Sequence, residues 1–197
     1  MPETAQRRRI LILDGHPDPA PDRFCHALAA AYAQGAASAG HVVHRLNLAD
    51  LEVPPLTSRA EWESETPSPS VVAVQEELLW AEHLVIIYPL WLGDLPARLK
   101  GLLEQVLRPA FAFGGKAVSP GAGRLKGRSA RVIVTMGMPA LIYRTVFLGH
   151  SLAALKRGVL ALVGFRPVRD TVFGGIETRR DRARLLAKVG RMGAQGA

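Results

Sequence analysis

Residues 14–24 join a short apolar run to a helical pattern and carry side chains that could bind an anion. At such a junction, free backbone N–H groups and the helix dipole favour negative charge. His16 and Arg23 could add donors to a phosphate group. The segment contains neither G-x-G-x-x-G nor G-x-x-x-x-G-K-[ST], so it does not indicate a Rossmann or P-loop nucleotide site. An ordinary turn in which His16 caps the strand end is the alternative.

Residues 88–96 form a second, unusually apolar segment, which contains Trp91 and Leu92. A flat aromatic ligand could use such a segment as a wall, with backbone groups bonding to the edge of its ring. Packing of Trp91 and Leu92 into the core or a subunit interface is an equal alternative, and both can hold at once.

Residues 135–143, with His150 further along, form a third candidate segment. Gly137 allows close approach of a ligand to the backbone, and Tyr143 and His150 could donate to oxygen atoms where negative charge develops. The alternative is a solvent-facing tyrosine and a histidine on a helix face. Cys25 is the only cysteine, and its place on the first predicted helix favours packing over a nucleophilic role.

The elements that must position these segments alternate between strand and helix patterns. Short apolar runs are typical of strands buried on both faces, and the alternation predicts a parallel sheet with helices on both sides. Ligands bind such sheets at the carboxyl ends of the strands, so we expect the three segments to meet there. The predicted strands are residues 10–13, 41–48 (at an edge), 84–88, 132–135 and 168–173. Five helices are predicted. They lie after an Asp22 N-cap, over residues 71–80, after Asp94 and Pro96, over residues 152–163 and after a Thr178 cap.

The charge of the chain is unevenly distributed. The net charge is +8, but residues 1–100 hold eight Lys and Arg against thirteen Asp and Glu (−5), and residues 101–197 hold seventeen against four (+13). A basic half can indicate nucleic acid, an anionic membrane surface or a phosphate-bearing cofactor, and a solvated Arg-rich surface is the plain alternative. The basic residues are not interleaved with aromatic ones, which argues against nucleic acid.

The composition predicts one folded domain over residues 1–197, with a flexible segment at 1–9 and a long loop at 50–70 that serves as a lid or a dimer arm. Hydrophobic residues make up 48% of the chain, enough for a sizeable core. No apolar run reaches the roughly 18–20 residues of a membrane span, and the run after the first arginines is too short for a signal peptide. One cysteine allows no internal disulfide, and no Cys/His spacing suggests a metal site. We therefore expect a cytoplasmic protein without a structural metal.

The ordered set of segments resembles the NAD(P)H:quinone oxidoreductase family of the flavodoxin-like superfamily, over residues 10–176. The most specific part reads L-V-I-I-Y-P-L-W at 84–91, P-A-R-L-K-G at 96–101 and F-A-F at 111–113. It is similar to the family's P-L-x-W, P-A-x-L-K-G and F-A-Y/F signature. T-M-G at 135–137 with Tyr143 is similar to the T-T-G-G…Y loop, and His16 matches the histidine after the first strand. The resemblance implies a three-layer α/β fold, a doubly wound parallel sheet of five strands in the order 2-1-3-4-5.

The same resemblance implies bound FMN or FAD, NAD(P)H as co-substrate and a homodimer whose subunits share each flavin site. Hydride would pass from NAD(P)H through the flavin to a quinone or related acceptor by a ping-pong mechanism. Tyr143 and, offset by one position, His150 would be the catalytic donors to flavin and quinone oxygens. The resemblance also implies three sets of cofactor-binding positions. The phosphate turn would be formed by His16, Arg23, Phe24 and Cys25, and the isoalloxazine wall by Pro89, Leu90, Trp91 and Leu92. The pyrimidine edge, where N–H groups would stabilise the reduced ring, would be formed by Thr135, Met136 and Gly137.

Several positions depart from the family pattern. Residues 21–25 read P-D-R-F-C in place of Thr/Ser-Ser-Phe-Asn, which removes the phosphate-binding hydroxyls. Met138 stands at the second glycine and Leu92 at a ring-wall tryptophan. A second hypothesis therefore stays open: a flavodoxin-like regulatory or binding subunit with weak or no flavin, docked on a partner such as a membrane transport protein. A one-electron carrier is disfavoured because such carriers are usually acidic.

Overall fold

Five parallel strands form one sheet in the order β2-β1-β3-β4-β5, which confirms the expected order. The structure is a computed structural model that describes residues 7–64, 66–114 and 123–197. The strands are β1 (Arg9–Asp14), β2 (Val42–Asn47), β3 (His83–Pro89), β4 (Ser129–Thr135) and β5 (Val168–Phe173). The apolar runs lie on the three central strands, where side chains on both faces are buried.

Helices cover both faces of the sheet. The helices are α1 (Phe24–Ser38), α2 (Arg59–Glu63), α3 (Pro69–Trp80), α4 (Ala97–Val106), α5 (Pro109–Phe113), α6 (Ala140–Thr145), α7 (His150–Ala153), which continues as a π-helical segment (Ala154–Leu160), and α8 (Arg182–Ala194). One face carries α1 and α8, which pack on the side chains of Ile10, Ile12 and Ile87. The opposite face carries α3, α4 and the helices after β4, which pack on Leu11, Leu13 and other residues of alternating position. The alternation along each strand produces the three layers.

Glycines allow α1 and α8 to touch backbone to backbone. A Cβ atom on Gly35 would lie 1.9 Å from the Gly190 carbonyl oxygen, and one on Gly193 would lie 2.1 Å from the Tyr32 carbonyl oxygen. Neither contact can accommodate a side chain. The close approach fixes the basic last helix against the first one.

Two predicted helix starts are wrong. The N-cap of α1 is Arg23 rather than Asp22, and α8 begins at Arg182 after Asp181 rather than after Thr178. In both places the chain turns further before entering the helix. Thr178 instead donates its hydroxyl to the Gly175 carbonyl, 3.3 Å away, within the preceding turn.

Three other boundaries differ from expectation. The segment 50–70 contains α2 and the start of α3, with Glu65 outside the described residues. The predicted flexible segment 1–9 is too long, because Arg9 already pairs within β1 and the Arg8 amide donates to His41 Nδ1 at 3.1 Å. The glycine-rich stretch 111–127, which its composition predicts as a connector between elements, begins inside α5, and residues 1–6 and 115–122 lie outside the described residues. Within the described ranges, no helix is long and apolar enough to cross a membrane.

Candidate functional site

The three candidate segments meet at the carboxyl edge of the sheet, as the topology predicts. The Gly15 amide donates to the Ile87 carbonyl and the Leu90 amide to the Thr135 carbonyl, each at 2.7 Å. These bonds extend the backbone hydrogen bonding between β1 and β3, and between β3 and β4, into the loops that follow. The rings of His16 and Trp91 lie edge to face, with centroids 5.7 Å apart. The first two segments are therefore in direct contact.

The first segment, residues 14–23, is held by its own polar groups. The carboxylate of Asp18 accepts hydrogen bonds from the Ala20 amide at 2.9 Å and from Arg23 Nε at 2.7 Å. These bonds lower the pKa of Asp18, the Ala20 bond most strongly. Arg23 also lies 3.6 Å from a carboxylate oxygen of Asp22. The predicted phosphate donor Arg23 is thus already paired with acidic neighbours.

His16 accepts a hydrogen bond rather than carrying a positive charge. The Asp18 amide donates to His16 Nδ1 at 3.1 Å, and the His16 amide donates to Asp14 Oδ1 at 3.3 Å. Burial and the neighbouring His26 both lower the pKa of His16. The ring is therefore neutral, and its edge faces Trp91.

A pair that the sequence analysis did not single out supports this segment from below. The fully buried carboxylate of Asp14 lies 2.6 Å from His26 Nδ1, and His26 Nε2 lies 3.0 Å from the Asp18 carbonyl oxygen. Burial opposes the charge on His26, but the hydrogen bond and charge of Asp14 outweigh it and raise the pKa of His26. No sequence motif marks His26 as a partner of Asp14, so only the fold reveals this pair.

The first turn of α1 offers open backbone donors beside a cation. Arg23 provides no side-chain cap, and the first amides of a helix, here those of Phe24 and Cys25, have no intrahelical acceptor. The Arg182 guanidinium lies over the Phe24 ring, 5.5 Å from its centroid, and donates to the Ile176 carbonyl. Arg182 is a candidate that the sequence analysis missed, because it comes from the start of α8, some 160 residues away.

Cys25 is a packing residue. Its thiol is buried, lies 3.4 Å from Thr135 Oγ1, and joins α1 to the end of β4. Burial raises the pKa of the thiol to about 12, which keeps it protonated. This agrees with the reading of Cys25 as a packing residue and leaves only its amide for a ligand.

The second segment, residues 88–96, folds as a tight hairpin with an exposed tip. The amides of Trp91 and Asp94 donate to each other's carbonyls, at 2.8 and 3.0 Å. Leu92 and Gly93 both have positive φ, +48° and +83°, and the Leu92 side chain is fully exposed. Trp91 is 48% exposed. Trp91 therefore offers an aromatic face, whereas Leu92, expected in the ring wall, points its side chain into solvent.

The third segment is clamped by the loop after β5. The Met136 amide donates to the Phe173 carbonyl at 2.9 Å, and the Ile176 amide returns to the Met136 carbonyl at 3.2 Å. The expectation that the Met136 N–H faces a flavin ring is therefore wrong, because the sheet already uses it. Gly137 is exposed, and a Cβ there would lie 3.0 Å from a carboxylate oxygen of Glu177.

The two predicted donors occupy different environments. Tyr143 is 1% exposed; its hydroxyl lies 2.8 Å from Ser151 Oγ and accepts from the Leu152 amide at 3.2 Å. Either of the Tyr143 and Ser151 hydroxyls can be the donor in the bond between them. In this conformation Tyr143 ties α6 to α7 and does not reach solvent, which also removes the alternative of a solvent-facing tyrosine. His150 is exposed at the start of α7.

An exposed apolar patch lies beside the third segment. It is called here the 141–148 patch, and it consists of large side chains that are 41–76% exposed. Its members are Leu141, Ile142, Val146, Phe147 and Leu148. Contiguous exposed apolar surface of this kind is typical of protein or ligand contacts. Leu141 and Ile142 belong to the third candidate segment itself, and no sequence motif marks the others.

The chain matches a protein family described by its flavodoxin-like fold over residues 8–194. It belongs to that family. A relative from Haemophilus influenzae, described as an uncharacterized NAD(P)H oxidoreductase, is 29% identical over 88% of this chain and 87% of its own length. An FMN-dependent NADH:quinone oxidoreductase of Ruegeria pomeroyi is 32% identical over 35% of this chain and 34% of its own. The ancillary protein KefG of the glutathione-regulated potassium-efflux system of Escherichia coli is 39% identical over 36% of each chain.

Solved structures share the fold over nearly the whole chain. An NAD(P)H:quinone oxidoreductase from Methanothermobacter marburgensis superposes with a TM-score of 0.80 at 23% identity. The superposition covers 95% of this chain and 96% of that one. At this identity the likeness establishes the flavodoxin-like architecture.

Proposed function

We propose that this chain is a flavin-dependent oxidoreductase that takes electrons from NAD(P)H and passes them to a quinone or related acceptor. The observation that carries the proposal is the meeting of the open α1 amides, Trp91 and exposed Gly137 at one edge of the sheet. The relatives described as NAD(P)H and NADH:quinone oxidoreductases support the same activity. The expectation of a cytoplasmic location stays a prediction.

The residues at this edge fit a flavin with its phosphate at the start of α1. The amides of Phe24 and Cys25 supply two donors to an anion, and Arg182 supplies a cation that is not paired with a carboxylate within hydrogen-bond distance in the described residues. Trp91 offers a face to the ring, and Gly137 exposes its backbone at the edge of the ring, beside the carboxylate of Glu177. Among the two flavins we favour FMN, as in the R. pomeroyi relative. When bound, the flavin supplies the two-electron chemistry between the nicotinamide and the acceptor.

The side chains around this position orient the ligands and control charge. His16 is neutral and fixes the Trp91 ring through its edge contact. Of the two proposed donors, exposed His150 is the one that can meet an acceptor without rearrangement. Tyr143 serves first to hold α6 on α7, and it reaches an acceptor only by giving up its bonds to Ser151 and Leu152.

A second copy of the chain is the proposed cover of the 141–148 patch. Five large apolar side chains in an eight-residue stretch are costly to leave in water, at about 25 cal/mol per Å². A homodimer buries them and places an apolar wall beside the third segment. The shared pocket, with one ligand leaving before the next enters, is what a ping-pong mechanism requires.

A regulatory or binding subunit is the second candidate function. The similarity to KefG, an ancillary protein of a transport system, favours it. So does the pairing of Arg23 with Asp18 and Asp22, which places two carboxylates near the phosphate turn. This candidate predicts a chain that folds without flavin and binds a protein partner.

Flavin retention and turnover test the two candidates against each other. The purified chain is mixed separately with FMN and FAD and desalted, and its visible spectrum is recorded before and after anaerobic NAD(P)H and then a quinone. We expect retained FMN bands that bleach and return. Trp91→Ala should weaken FMN binding about fivefold, since aromatic stacking contributes about 1 kcal/mol. Trp62→Ala, on α2, serves as the control and should leave FMN affinity unchanged. A chain that stays colourless with both flavins overturns the oxidoreductase proposal in favour of the binding subunit.

A further inference from the structure

The ring of His26 is held between two hydrogen-bond acceptors. Its Nδ1 lies 2.6 Å from Asp14 Oδ2, and its Nε2 lies 3.0 Å from the carbonyl oxygen of Asp18. A carbonyl oxygen cannot donate, so Nε2 carries a proton. The other contact, between Nδ1 and a carboxylate oxygen, needs a proton as well. The pair therefore holds one proton more than a neutral imidazole beside an ionised carboxylate.

The surroundings of His26 determine which way its charge is balanced. The buried carboxylate of Asp14 on β1 favours the protonated ring, as does the Asp18 carbonyl. Arg45 on β2 and partial burial oppose it. His16, whose ring centroid is 5.5 Å away, is neutral and adds no repulsion. Burial is the largest single influence and lowers the pKa of His26, but Asp14 and the Asp18 carbonyl together outweigh it, so the pKa of His26 is raised.

The proton on His26 is connected to the start of α1 through Asp18. The Asp18 carbonyl accepts the hydrogen bond from His26 Nε2, while the Asp18 carboxylate accepts from the Ala20 amide and Arg23 Nε. Arg23 is the residue from which α1 begins. His26, in the first turn of α1, therefore ties the loop back onto the same helix whose first amides are open.

We propose that the Asp14–His26 pair is a proton-dependent latch that holds residues 14–23 in the conformation that binds the cofactor's phosphate. His26 is a positioning residue in this arrangement, because it touches the loop and not the ligand. The inference rests on the proposed flavin function and names a control over that site. When the ring loses one proton, a single N–H remains and stays on Nδ1 beside the Asp14 carboxylate. Nε2 then presents a lone pair to the Asp18 carbonyl oxygen, so the loop loosens as the pH rises and the affinity for FMN falls.

The latch is tested first without flavin. Side-chain NMR of the apo protein follows the titration of each histidine, together with the amide signals of Asp18 and Ala20. We expect His26 to titrate above the ordinary histidine range and the two amide signals to follow it. Asp14→Asn should lower the pKa of His26. Amide signals that do not move with His26, or a His26 that titrates at or below the ordinary range, overturn the latch whether or not flavin binds.

The dissociation constant of FMN is then measured between pH 6 and 10. In the unaltered chain it should rise by up to about tenfold per pH unit once His26 loses its proton. His26→Gln should remove this dependence, and the matched control His44→Gln should keep it, since His44 pairs with Glu77 on the outside of β2. A His26→Gln chain that keeps the full pH dependence overturns the latch. A chain that binds no FMN at any pH overturns the proposed function instead, and the apo titration then decides the latch alone.

Discussion

Two regions at the same edge of the sheet are built on opposite principles. In residues 14–23 the polar side chains bind one another: Asp18 holds Arg23, and Asp14 holds His26. In the 141–148 patch, large apolar side chains lie in solvent, and Leu148 adopts a positive φ of +53°. The first region is complete within one chain. The second presents apolar surface that the described residues leave uncovered.

The difference teaches which parts of the site are set in the monomer. Buried polar groups that are satisfied by their own segment keep one geometry, because any other arrangement leaves a charge unpaired. Exposed apolar groups have no such constraint and take their final geometry from whatever covers them. We therefore expect the phosphate turn to be formed before assembly and the acceptor side to be formed by it.

The largest effect is expected from placing a charge in the 141–148 patch. Val146→Asp should abolish dimer formation, raising the dimer dissociation constant at least about 100-fold, since burying an unpaired carboxylate costs several kcal/mol. Sedimentation equilibrium measures it. Val72→Asp, on the exposed face of α3, is the control and should leave association unchanged. Unaltered association of Val146→Asp would show that the patch is not the interface.

The next effect is expected in the first region. Asp14→Asn leaves His26 without its counter-charge and should lower the free energy of unfolding by about 3 kcal/mol at pH 6. The proton on His26 stabilises the fold below the unfolded-state pKa of about 6.5, and this contribution is lost as the pH rises through the raised folded-state pKa. The loss caused by Asp14→Asn should therefore shrink at pH 9 to 10.

Urea unfolding at several pH values measures this loss. Asp50→Asn, at an exposed turn, is the control, with an expected change below about 0.5 kcal/mol. A loss for Asp14→Asn that does not change between pH 6 and 10 would contradict a charged His26.

A smaller effect sharpens the role of Tyr143. Tyr143→Phe removes two buried hydrogen bonds and should cost about 2 kcal/mol of unfolding free energy. Tyr88→Phe is a matched control, because the Tyr88 hydroxyl is buried with no partner in the described parts of the chain; its removal should be neutral or stabilising.

Quinone turnover separates the structural role of Tyr143 from a chemical one. If Tyr143 acts only on the fold, turnover per bound flavin stays unchanged in Tyr143→Phe and falls in His150→Gln. A Tyr143→Phe chain with reduced turnover and unchanged stability would instead show that Tyr143 acts in the reaction.

The smallest effect compares two arginines at the start of α1. Arg182→Gln should weaken FMN binding about fivefold, as expected for an exposed charge contact of about 1 kcal/mol. Arg23→Gln should change it less, because its guanidinium is already held by Asp18. Fluorescence titration of FMN measures both variants. A larger loss for Arg23→Gln would mean that the Asp18 contact opens when the cofactor binds.

The sequence alone determined the strands and their alternation with helices. Runs such as residues 84–88 have no polar face, and only a central parallel strand can bury both faces, so local pattern was sufficient. The same reasoning placed the three candidate segments at one edge, as the contact of His16 with Trp91 and the hydrogen bond from the Leu90 amide to the Thr135 carbonyl confirm. Helix starts were less accurate, because the chain continues its turn past Asp22 and Thr178 before it becomes helical.

Only the tertiary structure decided which partner each polar side chain takes. The sequence places Arg23 at the phosphate-binding turn, but its guanidinium is paired with Asp18. The sequence likewise places Tyr143 at a catalytic position, but its hydroxyl is hydrogen-bonded to Ser151. Periodicity states which face of an element a residue occupies, and not which atom from elsewhere in the chain will meet it. His26 with Asp14 and Arg182 with Phe24 are joined by folding across the sheet edge, where no spacing along the chain encodes the contact.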